Sequence, residues 1–574
     1  KKSNQTLNLR NKTLNEYLEQ LKIYVQQSNY VDSIDLLNHA IGQYPEENKL
    51  KLNLANIYKL LERNDDAVKI FSILENSELA DLANNNLSLI YLERGDLDKS
   101  IVYAKKALSL NQNYSDAKFN LALAFFEKKN YKDSLVQLDQ LSETDDYKAR
   151  AFELKIRIQQ IICDWSSFET TKSILYSNQL IVHPFLHISH VDNEEKNYLN
   201  AIEWSGNTLG ENKIVHVKTE KTQIKLGFLC GEIRNHPTFH LIKNLFKELN
   251  DELFSITMFS YNHEEHEKDY IKDYIKFIDL TKMNTKDANN CIKTFDIDIL
   301  IDLTTIISHN RQNILDKNCA KVIIAYLAFP GTTGNKLYDY IMTDNTVCPE
   351  SQQKFYIEKF LALPSTYQVN DGNINIDIEE DRKAHNLPKN GAILGSLNQS
   401  FKLEPMMFDA WIEILQKHED TYLWLLDEGE DMKRNILSYI DKRISQKRII
   451  FAERVERERH LARIRNIDIA LDTRVYNGHT TSIEMLQSGI PLITLEGRHF
   501  ASRVSTSLLH ALGIEDLVAK DIDGYKEIAS TLINDASALI SLKNKIPQQL
   551  SESKLMDRRF FARSFEDTIL GIIK

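Results

Sequence analysis

Apolar residues in the first quarter of the chain recur at helical spacing, and the whole pattern returns after a fixed step. Ser33, Ala67, Ser100 and Ser134 lie 34, 33 and 34 positions apart, and Ala40, Leu74, Ala107 and Leu141 keep that step seven residues later. Tyr58, Tyr91 and Phe125 fall on the same period, as do polar turns at 28–30, 63–65, 94–96 and 129–131. Small residues at fixed places let two antiparallel helices approach closely, aromatics fill between neighbouring pairs, and Pro45 closes a second helix. The pattern predicts a helix-turn-helix array over 1–148 with about four units. Such units cannot bury their faces singly and stack into a solenoid.

After a helical connector, 149–214, short apolar runs alternate with helical segments. Lys225–Cys230, Phe254–Tyr261, Ile297–Leu303, Lys321–Phe329 and Tyr340–Thr343 read as strands of one sheet. Gly391–Leu397, Thr421–Leu426, Arg448–Ala452, Ile467–Asp472 and Pro491–Leu495 read as strands of a second. Near-continuous apolar strands alternating with helices imply parallel sheets covered on both faces. Charge, Pro388 and Gly391 break the pattern in 379–391, which divides this part into halves at 215–385 and 386–574, with a C-terminal helix in the second. Two such sheets face each other across a cleft, and ligands sit at the carboxyl ends of their strands.

One stretch at such an end is VYNGHTTSIEMLQSGIPLITLEG, 475–497. Asn477 and Gly478 suit a tight turn, and Thr481 followed by Glu484 fits a capping box. Ile483, Leu486 and Ile490 then recur at helical spacing, and Gly489 and Pro491 stop the helix. Two readings follow: a well-capped helix, or N–H groups, two hydroxyls and an imidazole converging on an anion.

At 574 residues the chain needs two to four domains. A formal net charge of −11 argues against a general nucleic-acid binder, so an anionic ligand must be gripped locally. Five cysteines are scattered without a C-x-x-C pair, which suggests neither a disulfide framework nor a zinc site and makes a reducing cytoplasm the simplest setting. Apolar runs such as Val322–Phe329 are strand-length, too short to span a bilayer, so no membrane partner is expected. A removed targeting segment stays open because the chain begins at Lys1.

Missing motifs narrow the chemistry. No G-x-G-x-x-G occurs, and GTTGNK at 331–336 lacks Walker A spacing. HEEH at 263–266 has the wrong spacing for H-E-x-x-H and reads as a solvated loop, while Asp296 and Asp298 mark a strand boundary better than a metal site.

The repeats resemble the tetratricopeptide repeat, whose groove binds polypeptides; a role in dimerisation or spacing carries similar weight. GEIRNHPTFH (231–240), AFPGTTGNKLYDYIMTD (328–344), GSLNQSFKLEPMMFDAWIEILQ (395–416), RIIFAERVERERHLAR (448–463) and LDTRVYNGHTTSIEMLQSGIPLIT (471–494) follow in order, and ASRVS (501–505) extends them. Together they resemble the O-GlcNAc transferase family, in which tetratricopeptide repeats precede a GT-B glycosyltransferase of two Rossmann-like domains. A family that glycosylates Asn shares that catalytic fold but not the repeats or the NGHTT phrase.

The resemblance implies roles for residues. Lys402 pairs with the β-phosphate of a UDP-sugar, and Gln399 contacts the nucleotide. His479, Thr480 and Thr481 supply donors to sugar and phosphates, a preorganised arrangement that would stabilise departing charge. Arg457 and His460 clamp the uracil. Glu484, where the family commonly has Asp, accepts from the ribose or completes the capping box. On the acceptor side stand Glu232, His236, Thr238, His240 and Arg311, with Glu232 and His236 the proposed bases. A histidine candidate upstream is replaced by Phe185. Leu327, Ala328 and Tyr476 border the sugar; Ala328 replaces a Gly, and the Tyr476 phenol replaces a small Cys and shrinks the acetamido space. DLTTIISHNR at 302–311 lacks an expected Gly.

The expectation is therefore an inverting UDP-sugar:protein O-glycosyltransferase acting on Ser or Thr, independent of metal. UDP-GlcNAc is the first donor and UDP-glucose the second. Its partners would be a polypeptide such as flagellin or another surface protein, and a second copy in a homodimer. Two rivals stay open: an inactive binding scaffold, and a transferase for a non-protein acceptor.

Overall fold

A computed structural model describes residues 12–27, 29–141, 145–207, 223–307, 310–370 and 378–573; parts of the predicted connector, of the 28–30 turn and of the 302–311 phrase lie outside them. The chain forms two compact units, Lys1–Ile158 and Gln159–Lys574.

In the first unit, helices pair as Leu14–Gln26 with Tyr30–Gln43, Asn48–Leu60 with Asn64–Leu74, Ala80–Glu93 with Leu97–Leu110, and Ser115–Glu127 with Tyr131–Asp139. The periodic small residues Ser33, Ala67, Ser100 and Ser134 are all fully buried. Each has a side chain short enough to let neighbouring backbones touch; the Ser134 hydroxyl donates to the Ala122 carbonyl at 2.7 Å. Glu62, Gly95 and Lys129 take positive φ in successive turns, the left-handed residue that reverses the chain between paired helices. This is a tetratricopeptide-type solenoid.

In the second unit two parallel sheets follow a set of helices that includes Phe168–Tyr176, Pro184–Ile188 and Glu194–Trp204. The first sheet contains β1 (Ile224–Cys230), β2 (Phe254–Ser260), β3 (Lys276–Asp279), β4 (Ile297–Asp302), β5 (Ala320–Ala325), β6 (Tyr340–Asp344) and β7 (Lys359–Leu363). Its order is β3-β2-β1-β4-β5-β6-β7. The second contains β8 (Ala392–Ser396), β9 (Thr421–Leu426), β10 (Ile449–Ala452), β11 (Ile469–Leu471), β12 (Leu492–Leu495) and β13 (Val518–Ala519), in the order β10-β9-β8-β11-β12-β13. Both sheets are Rossmann-like, and each reverses its winding direction once, between β1 and β4 and between β8 and β11. β3, β7 and β13 escape the sequence pattern because they are short and lie at or next to sheet edges. The final helix, Arg558–Leu570, expected with the second half, instead packs on the first: Phe565 lies 6.5 Å from Phe228 and 6.3 Å from Tyr326, and Glu566 accepts from the Asn250 N–H at 2.7 Å. Among the described residues no helix is long and apolar enough to cross a membrane, and no group of three or more His, Cys, Asp or Glu side chains could hold a metal ion.

Candidate active site

A cavity of about 660 Å³ lies between the two sheets, lined by segments that leave the carboxyl ends of β1, β4, β5, β8, β9, β10 and β11. It therefore sits at both winding reversals, where diverging loops leave a crevice that strands and helices cannot fill. Of the residues to which the resemblance gives donor-, sugar- or acceptor-side roles, every one except Arg311 lines it.

The floor on the second-sheet side is the loop 473–479. Its anchor is Asp472, 1% exposed at the end of β11. Asp472 accepts from the N–H of Thr473 at 2.9 Å, the N–H of Gly478 at 2.8 Å and the Thr494 hydroxyl at 2.8 Å. Asn477 is fully buried; its amide donates to the Thr473 carbonyl at 2.6 Å, its side-chain oxygen accepts from the Ser505 N–H at 3.3 Å, and its own N–H meets the Ala501 carbonyl at 2.8 Å. Those contacts give ASRVS its place. A Cβ on Gly478 would fall 2.3 Å from the Ser482 hydroxyl, so the helix can start this close to the turn only with glycine.

The helix is Thr480–Gln487, and its N-cap is His479, with no side-chain cap. The expected Thr481–Glu484 capping box is thus absent: Thr481 is already helical, and Glu484 turns to Arg457 at 3.0 Å and lies 4.0 Å from His460 Nε2. The first ladder bond runs from Ile483 N–H to the His479 carbonyl at 3.2 Å, leaving the N–H groups of Thr480, Thr481 and Ser482 ahead of it. Burial and the Lys402 ammonium hold the His479 imidazole well below its ordinary pKa, and its Nε2 is buried without a partner among the described residues. Burial pushes the Glu484 carboxyl up to about 7, against the pull of Arg457.

Lys402 closes the 3-10 turn Ser400–Lys402 after β8. Its Nζ donates to the Asn477 carbonyl at 2.8 Å and lies 4.7 Å from the Tyr476 ring centre. Burial draws its pKa down while the Asp472 carboxylate draws it up. Arg457 and His460 sit on the helix Arg457–Arg463, with Arg463 Nη2 3.1 Å from His460 Nδ1. Burial first, then Arg463, Arg457 and Arg454, lowers His460 to about 4, so it is neutral at pH 7. Arg454, Arg463 and Asp472 were not found in the sequence; the only signal for them was their place within the 448–463 and 471–494 phrases.

On the first-sheet side Glu232, 3% exposed, accepts from Arg234 Nε at 2.8 Å, pairs with its Nη2 at 2.7 Å and lies 3.8 Å from His236 Nε2. His236 caps the helix Pro237–Ile242, its Nδ1 accepting from the Thr238 N–H at 3.3 Å. His240 Nε2 lies 2.8 Å from the Asn235 side-chain oxygen, and burial, reinforced by Arg457, lowers it to about 4. Arg311 corrects the expectation: its guanidinium donates to the carbonyls of Leu280 at 3.3 Å and Met283 at 2.8 Å, tying loops together away from the cavity. Within 302–311, Thr305 takes the left-handed backbone at φ 51, held there by its N–H bond to Asp302 at 2.9 Å. HEEH is likewise not all loop, since a helix begins at Glu265. Phe185, Phe401 and Tyr476 form an aromatic wall with ring centres 5.5–5.6 Å apart. Leu327, beside Ala328, is strained at φ 77.

Paired Rossmann-like sheets with a cation and an amide-rich helix start at one end of their shared cleft define a glycosyltransferase architecture. A model of glycosyl transferase family 41 matches residues 207–378 and 373–565, and a tetratricopeptide-repeat model matches 82–114. The chain belongs to glycosyl transferase family 41. A probable UDP-N-acetylglucosamine–peptide N-acetylglucosaminyltransferase of Arabidopsis thaliana is 28% identical over 355 residues, 60% of this chain and 36% of that protein. The UDP-N-acetylglucosamine–peptide N-acetylglucosaminyltransferase of Caenorhabditis elegans is 22% identical over 550 residues, 71% of this chain and 48% of that protein. The chain thus spans less than half the length of these relatives. A Thermobaculum terrenum O-GlcNAc transferase mutant shares the fold, with a TM-score of 0.71 at 21% identity over 87% of this chain and 98% of that one.

Proposed function

We propose that this chain is an inverting, metal-independent protein O-glycosyltransferase that moves one sugar from a UDP-sugar to Ser or Thr, N-acetylglucosamine first and glucose second. One observation carries the reading. Lys402, the His479 imidazole and the N–H groups at the start of Thr480–Gln487 converge at one end of the cavity, and Glu232, His236 and His240 line the same cavity from the opposite sheet. In the reaction the acceptor hydroxyl oxygen bonds to C1 of the sugar as the bond from C1 to the β-phosphate oxygen breaks. Charge gathers on the departing UDP, where a cation and fixed dipoles in a partly dry site lower the barrier most. Gln399, Arg457 and His460 would hold the nucleotide and Glu484 the ribose, while Tyr476, Leu327 and Ala328 border the sugar.

The hydroxyl proton needs an acceptor. His236 Nδ1 already accepts from Thr238, which places the proton of the neutral ring on Nε2, toward Glu232. That geometry favours the Glu232 carboxylate as acceptor, with His236 and Arg234 orienting it. The repeat array would hold the polypeptide, of which flagellin or another surface protein is one candidate; the reaction would take place in the cytoplasm, and a homodimer is a further proposal. The test is UDP release from UDP-GlcNAc and UDP-glucose with a Ser/Thr acceptor, in wild type and Lys402→Ala. Wild type should turn over with or without a chelator, and the variant should lose about 10²–10³-fold in kcat. Near-normal turnover in the variant, or no release from either donor by wild type, overturns the assignment.

A further inference from the structure

We infer that Tyr367 is a positioning residue for His479: its hydroxyl fixes the imidazole tautomer so that Nε2 presents an N–H to the cavity. The consequence for transfer rests on the donor-site reading above; the tautomer itself does not. Tyr367 lies on the crossover that leaves β7 and is 1% exposed. Its N–H donates to Asp344 at 2.8 Å, its carbonyl accepts from the Tyr326 hydroxyl at 2.8 Å, and its ring stands edge-on to Phe500 at 4.7 Å. The phenol is therefore held in place from several sides. Its oxygen is 3.4 Å from His479 Nδ1, the hydrogen-bond partner found for it among the described residues.

The direction of that bond follows from where the one leftover proton can find an acceptor. With Nδ1 donating, that proton is the phenol's, on a side chain 1% exposed that does not line the cavity; with the phenol donating, it is the ring's, on His479, which lines the cavity, where a ligand oxygen can accept it. Donating to the Nδ1 lone pair satisfies the phenol instead. Burial and the neighbouring Lys402 ammonium keep the imidazole neutral, and a neutral imidazole with an accepting Nδ1 carries its proton on Nε2. Nε2 is the atom left without a partner, and stacking of the His479 ring on Tyr476 at 5.2 Å holds its plane. The crossover between the sheets thus turns an ambiguous ring into a neutral donor beside the cation.

The experiment uses the full chain carrying ¹⁵N-histidine, without substrate, and reads the His479 tautomer from long-range ¹⁵N–¹H correlations assigned by loss of the signal in His479→Gln. Wild type should show the Nε2–H form alone, and Tyr367→Phe a mixture of both tautomers. The same variant should lose about 2- to 10-fold in kcat at nearly unchanged KM for the UDP-sugar. An Nδ1–H ring in wild type, or an unchanged single tautomer in Tyr367→Phe, overturns the inference. Should Tyr367→Phe not fold, the wild-type tautomer alone decides. If the donor-site reading fails, UDP will leave the His479 signals unmoved while the tautomer result stands.

Discussion

Replacing Asp472 by Ala should remove the anchor of the loop that carries Asn477, Gly478 and His479. The change strands two buried amides, Thr473 N–H and Gly478 N–H, now bonded at 2.9 and 2.8 Å. Each lost acceptor costs about 1–3 kcal/mol, or about 2–6 kcal/mol together. Part of that is returned because a carboxylate whose pKa is raised by burial no longer has to be held in the interior. A net loss of about 2–4 kcal/mol corresponds to a fall of roughly 2–5 °C in the melting temperature of the catalytic unit, Gln159–Lys574. Because the Asn477 carbonyl fixes the Lys402 ammonium, UDP affinity measured by calorimetry should drop about tenfold or more, the equivalent of one misplaced hydrogen bond to a charged group. Asp472→Asn separates geometry from charge. Its oxygen keeps both amides and its NH₂ can donate to the Thr494 hydroxyl, so it should melt near wild type. It nonetheless removes the countercharge that raises the Lys402 pKa, and the alkaline limb of kcat/KM should move to lower pH. Wild-type melting and wild-type UDP affinity in Asp472→Ala would refute the reasoning.

Two further outcomes test the donor side. Burial raises the Glu484 carboxyl to about 7, so the free protein favours the protonated form below that pH; a group raised in this way costs stability as pH rises through the window from its ordinary value to 7. Ribose hydroxyls donate more strongly to the ionised form, so UDP binding should weaken by up to about tenfold per pH unit below 7 and release protons there, and Glu484→Gln should flatten that dependence. Gly478→Ala puts a methyl 2.3 Å from a Ser482 hydroxyl that is tied to Ser505 at 2.8 Å and cannot simply turn away. It should destabilise by about 1–3 kcal/mol, seen by thermal melting, and weaken UDP binding in parallel.

Features encoded within a few residues of one another were legible without coordinates. The step of about 34 residues in small and aromatic positions announces paired helices because each pair repeats the same local packing problem, and apolar runs announce buried parallel strands because both of their faces are covered. His479, Lys402, Glu484 and Arg457 could be named because the phrases that hold them resemble those of a known family. The roles of Asp472, Arg454, Arg463 and Tyr367 could not, since an isolated Asp, Arg or Tyr looks the same whether it faces solvent or a ligand.

By itself, the sequence determined the order of the units, the two parallel sheets and the neighbourhood of the cleft. These follow from periodicity, which is a local property. Only the tertiary structure decided that Glu484 faces Arg457 and does not cap its own helix, that Arg311 ties loops away from the cavity, and that the last helix returns to the first sheet. It alone also set the Tyr367 phenol against His479. Each of these is a contact between residues distant in sequence, settled by which buried polar groups can find partners once the sheets have packed, and no spacing along the chain records that.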